Sequence, residues 1–338
     1  MKVLVIGLKV TIKDIAKMAD VSMSTVSRVV NNSKPVNEDV RKRVLKAIKQ
    51  TKYRPDVMGE DGANKITHLL GIIIPHNSNT VLDDFSVGIR SIAELYGYDI
   101  VVGLTDGTVE SELHYLNLFH ELGTQGNIFV GSVLEHEHIE MITKNGTPCV
   151  LAGQHSQIPT IPSVHLDNET ASYEAVTYLI QKGHRQISMI RASGDSAVGG
   201  DRYEGYRRAL EDSNIPLVEE WVVESGFSAD DGMSAMRQIM ESGTRPTAVF
   251  CSTDWMAVGA MNYLLDIGLK VPEDIAVIGF DNSFMASIVR PKLTSIEYSG
   301  IEIGMTASRH LIKLIKGDTV TPHHANVAHY LMVRESTG

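Results

Sequence analysis

Polar side chains able to bind a nucleic acid are concentrated between Ser22 and Arg28. Three valines in this region recur at the spacing of one helix face, and we predict that they point inward: Val26, Val29 and Val30. The side chains left outside are Met23, Ser24, Thr25, Ser27 and Arg28. Hydroxyl and guanidinium groups donate hydrogen bonds to phosphates and base edges. The segment predicts a helix that contacts nucleic acid, although such hydroxyls also serve as helix caps and turn formers.

The sequence signals for catalysis or metal binding are weaker than the signal for nucleic-acid binding. The run 135–138 and the pair His323–His324 contain possible metal ligands, but neither has the spacing of a recognised zinc site. We predict that both are solvated surface. The segment 194–200 lacks the Lys-Ser/Thr of a phosphate-binding loop, and no serine lies in a Gly-x-Ser-x-Gly turn. The sequence therefore indicates neither an enzyme nor a metal site nor a cofactor.

Three predicted helices position the first group of side chains. Thr11 can cap the first helix, and Ser22 can cap the second after a short break at Asp20-Val21. A third helix begins at Asn37, and its apolar stripe comprises Val40, Val44, Leu45 and Ile48. Two short helices joined by a tight turn match the helix-turn-helix, whose second helix lies in the major groove of DNA. The basic residues of the third helix either contact phosphates or simply form a solvent-exposed face.

The charge distribution agrees with a polyanion-binding head. The chain has a net charge of −10, yet residues 1–54 contain 13 Lys and Arg against 4 Asp and Glu. The remainder contains 18 basic against 37 acidic residues. A basic head on an acidic body is expected where one end alone meets nucleic acid, whereas the alternative is an arbitrary surface pattern.

From residue 66 onward, apolar strands alternate with amphipathic helices in two series. This alternation predicts an α/β body of two similar lobes with parallel sheets, whose ligands bind at the carboxyl ends of the strands. We place lobe one at about 66–163 and 296–325, and lobe two at about 164–295 and 326–338. Cys149 and Cys251 are predicted to be small core residues. Without a recognisable signal peptide or spanning segment, a cytoplasmic protein is expected.

The segments 10–16, 21–31 and 53–55 resemble the DNA-binding head of the LacI/GalR family of transcription regulators. The resemblance implies a helix-turn-helix domain at 10–54 after an atypical extension at 1–9. It places Met23, Ser24 and Arg28 where the family reads base edges, and Arg28 could bind a guanine through two hydrogen bonds. The full set of implied DNA contacts is Thr11, Ser22, Met23, Ser24, Thr25, Ser27, Arg28, Asn31, Tyr53 and Met58.

The hinge at 55–65 departs from the family pattern. Gly62 stands where the family usually has a leucine that wedges into the minor groove, and Glu60 stands where a basic residue is usual. Each interior glycine costs a helix about 1 kcal/mol relative to alanine, and acidic side chains repel phosphate. Either Met58 substitutes as the wedge, or the protein binds straighter DNA more weakly.

The body resembles the periplasmic-binding-protein-like core of the same family through residues 183–185, 202–206, 271–275, 279–282 and 290–296. The resemblance implies a small effector between the lobes, a sugar or sugar phosphate. The implied effector contacts are Asn79, Leu82, Arg202, Phe227, Thr253 and Asp281. For two of these assignments an alternative stays open: Arg202 and Asp281 could simply pair with each other across the lobes, and Phe227 could belong to the core.

The resemblance implies a homodimeric regulator, with a repressor as the expected activity, that binds a pseudo-palindromic operator and controls carbon or sugar metabolism genes. It looks closest to the catabolite control protein branch, partly through residues 112–116. In that branch a phosphorylated carrier protein docks on the body, and Arg309 and Arg334 match part of its docking pattern, whereas Ile301 and Tyr330 do not. A solute-binding protein is the remaining alternative, which the basic head disfavours.

Overall fold

The structure is a computed structural model that describes residues 11–31, 34–51, 68–75, 81–192, 197–243 and 245–338. Its head consists of α1 (Ile12–Ala19), α2 (Met23–Asn31) and α3 (Glu38–Thr51). Thr11 begins α1 in a capping box with Asp14, and Asp20 ends it with a left-handed φ of 53°. Ile15, Val26 and Val44 are fully buried between the three helices. Local caps and one small core therefore produce the predicted three-helix head.

The first lobe is built on a six-stranded parallel sheet with the strand order β11-β5-β4-β3-β1-β2. Its strands are β1 (Leu69–Pro75), β2 (Asp99–Thr105), β3 (Gly126–Val130), β4 (Cys149–Ala152), β5 (Ser163–Leu166) and β11 (His324–Val327). The helices on its faces are α4 (Val81–Tyr96), α5 (Val109–Leu122), α6 (His136–Asn145) and α12 (Gly300–Ile315). Central strands such as β3 are buried along their whole length, because helices cover both faces.

The second lobe repeats the architecture with the strand order β12-β10-β9-β8-β6-β7. Its strands are β6 (Ile187–Ala192), β7 (Val222–Ser225), β8 (Ala248–Cys251), β9 (Ala276–Phe280), β10 (Thr294–Tyr298) and β12 (His329–Met332). Its helices are α7 (Asn168–Gln181), α8 (Ala197–Asp212), α9 (Ala229–Glu241), α10 (Asp254–Asp266) and α11 (Phe284–Ile288). All pairs are parallel except β10 with β12, which is antiparallel.

The chain passes between the lobes at three places. The crossovers lie at Asp167, between β5 and α7, at Ser299, between β10 and α12, and at Ala328, between β11 and β12. Each comes a few residues later than the sequence predicted. Val164, predicted to open lobe two, instead lies in β5, which pairs with both β4 and β11 in the lobe-one sheet.

The predicted fold class is confirmed: an all-α helix-turn-helix head precedes a two-lobed α/β body with parallel sheets. Cys149 and Cys251 are buried free thiols, as expected for small core residues. Among the described residues, no helix combines the length and apolar character needed to cross a membrane. The carboxyl ends of several strands in each lobe lead to the cleft considered next.

Candidate nucleic-acid interface and interlobe cleft

Helix α2 presents the predicted recognition surface. Met23 is 52% exposed, and Ser24 and Arg28 are also exposed. The inward valines are buried, with exposed fractions of 0%, 2% and 5% for Val26, Val29 and Val30 respectively. The helix thus separates an apolar inner face from a polar outer face. A guanidinium and two hydroxyl-bearing positions remain accessible to a partner.

The hydroxyls at the start of α2 form a local network. Ser22 Oγ lies 2.8 Å from both Ser24 Oγ and Thr25 Oγ1, and it accepts a hydrogen bond of 3.1 Å from the Thr25 amide. Ser22 therefore caps α2, which was the alternative role for this residue. Because the hydroxyls hold one another, they are also pre-positioned as donors toward a phosphate.

Thr11 likewise is both a helix cap and a predicted DNA contact. Its hydroxyl donates to Asp14 Oδ2 at 2.7 Å, and its backbone amide donates to the same oxygen at 2.9 Å. These hydrogen bonds lower the pKa of Asp14. Thr11 and Ser22 thus fix the starts of the two helices. Of the other predicted contacts, Tyr53, Met58 and Asn79 lie outside the described residues, Asn31 ends α2 and Leu82 lies in the first turn of α4.

A buried network at the carboxyl ends of the lobe-two strands is centred on Arg202, which lies on α8 and is only 4% exposed. Its Nε donates to Asn168 Oδ1 at 2.9 Å, and its Nη1 donates to the carbonyl of Ser252. Its Nη2 lies 3.5 Å from Asp281 Oδ1, and the guanidinium carbon lies 3.5 Å from the centre of the Phe280 ring. Arg202 and Asp281 are thus in contact, as the open alternative predicted, but within lobe two and not across the lobes, because α8 and β9 both belong to that lobe.

Asp281 is held in an unusual environment. It has a φ of 102°, a conformation that is rare outside glycine. Burial raises its pKa to about 6, against the opposing effects of Arg202 and the Tyr298 hydroxyl, which donates to Oδ1 at 3.3 Å. A carboxyl that combines a raised pKa with a strained backbone is a candidate ligand contact rather than an ordinary surface acid.

A second buried carboxyl, Asp254, supports this site and was missed by the sequence analysis. Its Oδ1 accepts from the Ser295 hydroxyl and its Oδ2 from the Ser283 amide, both at 2.6 Å. Burial, followed by the charge of Asp281, raises its pKa to about 7. Asp254 thereby ties α10 to the segment that follows β9. The usable signal was its position directly after Thr253, at the carboxyl end of β8.

Two other predicted contacts also have structural roles. Thr253 is 5% exposed, and its hydroxyl caps α10 by accepting from the Met256 amide at 3.3 Å. Phe227 is half-buried against the lobe-two core. Thr253 follows Ser252, whose carbonyl Arg202 binds. The structure therefore brings Arg202, Asp281 and the Ser252–Thr253 turn together, and it packs Phe227 against the lobe-two core.

A cavity of about 90 Å³ lies between the lobes. Asp201 lines it from lobe two, and the rest of its lining comes from lobe one: Val133, Leu134, Leu151, Gln154, His155, Gln157 and Ile158. Gln154 is 3% exposed, and its Oε1 has no hydrogen-bond partner among the described residues. A buried acceptor of this kind calls for a donor, from water or from a ligand.

Comparison with known proteins identifies the family. The model of bacterial regulatory proteins of the lacI family matches residues 11–56, and that of the periplasmic binding protein-like domain matches residues 176–337. Catabolite control protein A of Priestia megaterium is 37% identical over 331 residues, which cover 98% of this chain and all of that protein. The chain belongs to the LacI family. Its predicted family, fold and DNA-binding function are thereby confirmed.

Solved structures agree along the whole length of this LacI-family chain. The lac repressor dimer bound to operator and an anti-inducer has a TM-score of 0.75, with 27% identity, covering 98% of this chain and 99% of that one. The complex of the regulator CelR with cellobiose has a TM-score of 0.75 with 28% identity, covering 97% and 99%. These relatives are transcription regulators rather than enzymes.

The two arginines predicted to dock a carrier protein are both engaged inside this LacI-family chain. Arg309 is 7% exposed, and its Nε donates to the carbonyl of Val30 at 3.2 Å. Burial lowers its pKa to about 10. Arg334 donates to the carbonyl of Leu293 at 2.7 Å and to Asn282 Oδ1 at 2.5 Å. A phosphate would have to compete with these partners for Nη1 and Nη2 of Arg334 and for Nε of Arg309.

The prediction that residues 135–138 are solvated surface is wrong for His138. Its side chain is fully buried, with Nε2 lying 3.0 Å from Glu112 Oε2, and Ser132 donates to Glu112 Oε1 at 2.5 Å. The Glu135 amide donates to His138 Nδ1 at 3.0 Å, which closes the first turn of α6. His136 is exposed, as predicted. In the described part of the chain, no three His, Cys, Asp or Glu side chains are arranged to hold a metal ion.

Proposed function

We propose that this regulator represses genes of carbon or sugar metabolism in the cytoplasm, as a homodimer controlled by a small molecule in the interlobe cleft. The observation that carries the proposal is α2, a capped and packed helix that exposes Met23, Ser24 and Arg28. A helix so presented fits the major groove of a duplex. Relatives include catabolite control protein A and the repressor PurR of Vibrio vulnificus, which is 33% identical over 307 residues.

The DNA contacts divide into two kinds. Arg28, with Met23 and Ser24, reads base edges, and Arg28 pairs with a guanine through two hydrogen bonds. The remaining contacts position the phosphates or support the hinge: Thr11, Ser22, Thr25, Ser27, Asn31, Tyr53 and Met58. The hinge at 55–65 transmits the state of the lobes to the heads. This division predicts that specificity depends on few side chains and affinity on many.

An exposed apolar edge supports the homodimer. Val102 and Leu104 on the edge strand β2 are 49% and 60% exposed, on a chain whose net charge is −10. Exposed apolar side chains on an edge strand favour burial against a partner. The lac repressor, which resembles this chain over 98% of its length, binds its operator as a dimer. Two heads would then contact half-sites about one helical turn apart.

The cleft chemistry supports a ligand rich in hydroxyl groups, a sugar or sugar phosphate. Asp281, Arg202, Thr253 and the unpartnered Gln154 Oε1 offer both donors and acceptors around the opening between the lobes. CelR, a relative of the same fold, was solved with cellobiose. Such a ligand changes DNA binding only if it binds the two lobe arrangements with different affinities.

A phosphorylated carrier protein is the second candidate effector, favoured by the 37% identity to catabolite control protein A. It would dock through Arg309 and Arg334. The internal hydrogen bonds of both arginines make this partner the less direct of the two. A phosphorylated carrier protein that raises operator affinity, and loses this effect with Arg309→Ala, would establish it.

Selection from a pool of random duplexes tests the DNA-binding proposal. Purified protein should enrich a pseudo-palindrome, and the logarithm of affinity should fall linearly with the logarithm of salt concentration. Arg28→Ala should abolish the preference at one position of each half-site, whereas Arg90→Ala on α4 should not. No enrichment, or the same preference with both variants, would refute the proposal. Thermal-shift screening with sugars, sugar phosphates and nucleobases then identifies the effector.

A further inference from the structure

Four histidines from three segments of lobe one pack against one another. The ring centres of His155 and His165 lie 4.9 Å apart, those of His155 and His324 lie 4.7 Å apart, and those of His323 and His324 lie 4.8 Å apart. We call His155, His165, His323 and His324 the histidine cluster. The pair His323–His324, predicted to be solvated surface, is half-buried within it. So many imidazoles in contact make the charge of the cluster sensitive to pH.

A single serine joins two members of the cluster. Ser163 Oγ lies 2.9 Å from His324 Nδ1 and 3.4 Å from His165 Nδ1. Ser163 has one proton to donate, so the two rings cannot both receive it. Burial, with the imidazoles of His155 and His324, lowers the pKa of His165 to about 4, and burial with His155 and His323 lowers the pKa of His324. The packed arrangement is therefore that of neutral rings.

The cluster lies on the two strands that carry two of the three lobe crossovers. His165 lies on β5, two residues before the crossover at Asp167, and His324 opens β11, which reaches lobe two through Ala328. These strands pair directly, with His324 in register with Ser163. A charge placed in the cluster therefore acts on the connections between the lobes.

His155 is the member of the cluster that faces lobe two. It lines the interlobe cavity together with Asp201 of α8. Although Asp201 reaches solvent, partial burial and then the charges of Glu169 and Asp167 raise its pKa, while Arg202 and His155 oppose this effect. Asp201 is thus a carboxyl crowded by other acids, and it would attract a cation across the cavity.

We propose that the histidine cluster is a proton-operated latch between the lobes. A proton taken up by the cluster gives it a positive charge, which the Asp201 carboxylate attracts across the cavity that His155 and Asp201 both line. This attraction moves the His155 imidazole from its lobe-one neighbours toward lobe two. Acidification therefore narrows the cleft, and the proton becomes an input to the regulator beside the small-molecule effector.

The other groups facing the cluster do not cancel this effect. The titratable and charged side chains around it are Asp167 after β5, Asp201 on α8, and His310, Arg309 and Lys313 on α12. Burial and then Lys313, His323 and Arg309 lower the pKa of His310 to about 4. On the lobe-two side, the cation Arg202 acts on Asp201, against the two further carboxylates Glu169 and Asp167.

A spin-label distance between the lobes tests the latch. Glu137→Cys and Asp230→Cys place labels at the exposed starts of α6 and α9, and the two native cysteines are buried. Labelled protein is mixed with excess unlabelled protein, so that distances within one protomer dominate. From about pH 8 to about pH 5.5, the range in which imidazoles titrate, the distance should shorten. A distance that stays constant or lengthens would overturn the proposal.

Variants separate the latch from a general effect of acid. His155→Gln and Asp201→Asn should each remove the pH-dependent change, because each removes one of the two attracting charges. His136→Gln, at an exposed histidine of the same lobe, should leave the change intact. Near-UV circular dichroism at the higher pH confirms that each variant is folded. A full response in both His155→Gln and Asp201→Asn would assign the change to other groups and refute the latch.

Discussion

The head and the interlobe cleft use the same kinds of polar side chain in opposite ways. At the starts of α1 and α2, the side-chain hydrogen bonds join residues within three positions of each other, such as Ser22 with Thr25, and Arg28 remains exposed. In the cleft, Arg202 and Asp281 are 79 positions apart, their side chains are only 5% and 9% exposed, and they are bound to one another and to neighbouring groups. The head is thus a preformed surface for a large partner. The cleft is instead a closed network, in which a ligand must replace existing hydrogen bonds.

This difference predicts which substitutions affect binding and which affect stability. Removing an exposed side chain of the head should change binding and leave the fold intact. Removing one partner of a buried charged network should instead destabilise lobe two, because it leaves the other charge without compensation.

The largest effect is expected for Arg202→Met. The change leaves Asp281 buried and unpaired, and breaking a buried ion pair by removing one partner costs about 3–5 kcal/mol. The free energy of unfolding from urea titrations measures it. Arg191→Met is the matched control, because Arg191 pairs with the half-exposed Glu224 at 2.5 Å and such pairs contribute about 0–1 kcal/mol. If the double variant Arg202→Met/Asp281→Asn is no more stable than Arg202→Met, the unpaired charge is not the cause.

The next effect is the loss of base reading in Arg28→Ala. A bidentate contact from arginine to guanine is worth about 1–3 kcal/mol of discrimination, so selectivity at one base pair should fall roughly tenfold or more. The unfolding free energy should stay within about 0.5 kcal/mol of the parent value, as for most surface substitutions. Competition binding on a selected operator and its single-base variants provides the measurement. An equal loss on every sequence would instead make Arg28 a phosphate contact.

The contrast also explains what the sequence could predict. The structure of the head could be predicted in detail because its caps, its inward valines and its turn all depend on residues that are close together in the sequence. The alternation of strands and helices predicted two lobes, but the crossovers were misplaced, since the pairing of β5 with β4 and β11 assigns Val164 to lobe one. Asp254 and the histidine cluster were missed for the same reason. Asp254 binds Ser295, 41 positions away, and Ser163 binds His324, 161 positions away.

The buried titratable groups of the two lobes should change the free energy of unfolding with pH in opposite directions. Asp254 and Asp281 have pKa values raised to about 7 and about 6, so their contribution to stability is present below the unfolded value of 3.8 and is lost as pH rises through these folded values. His165 has a pKa lowered to about 4, so its contribution is present above 6.5 and is lost as pH falls toward 4. Each group changes the unfolding free energy by at most about 1.4 kcal/mol per pH unit.

Single variants resolve these two contributions. Asp254→Asn should remove part of the decrease in stability between pH 4 and pH 7, and His165→Gln should remove part of the increase over the same interval. Unfolding free energies measured as a function of pH provide the comparison. Parallel pH profiles for the parent and both variants would show that neither buried group titrates as its surroundings require.

The smallest effect concerns Ser22, where helix capping and phosphate binding coincide. Ser22→Ala removes the hydroxyl that caps α2 and should cost about 1 kcal/mol of stability as well as operator affinity. Ser22→Asp keeps a capping oxygen, so stability should be retained, but its charge faces the phosphates and should weaken binding further. Thermal unfolding and operator titration of the two variants separate the roles. If Ser22→Asp binds operator as well as the parent, Ser22 is a cap alone, and the phosphates are held by other side chains of the head.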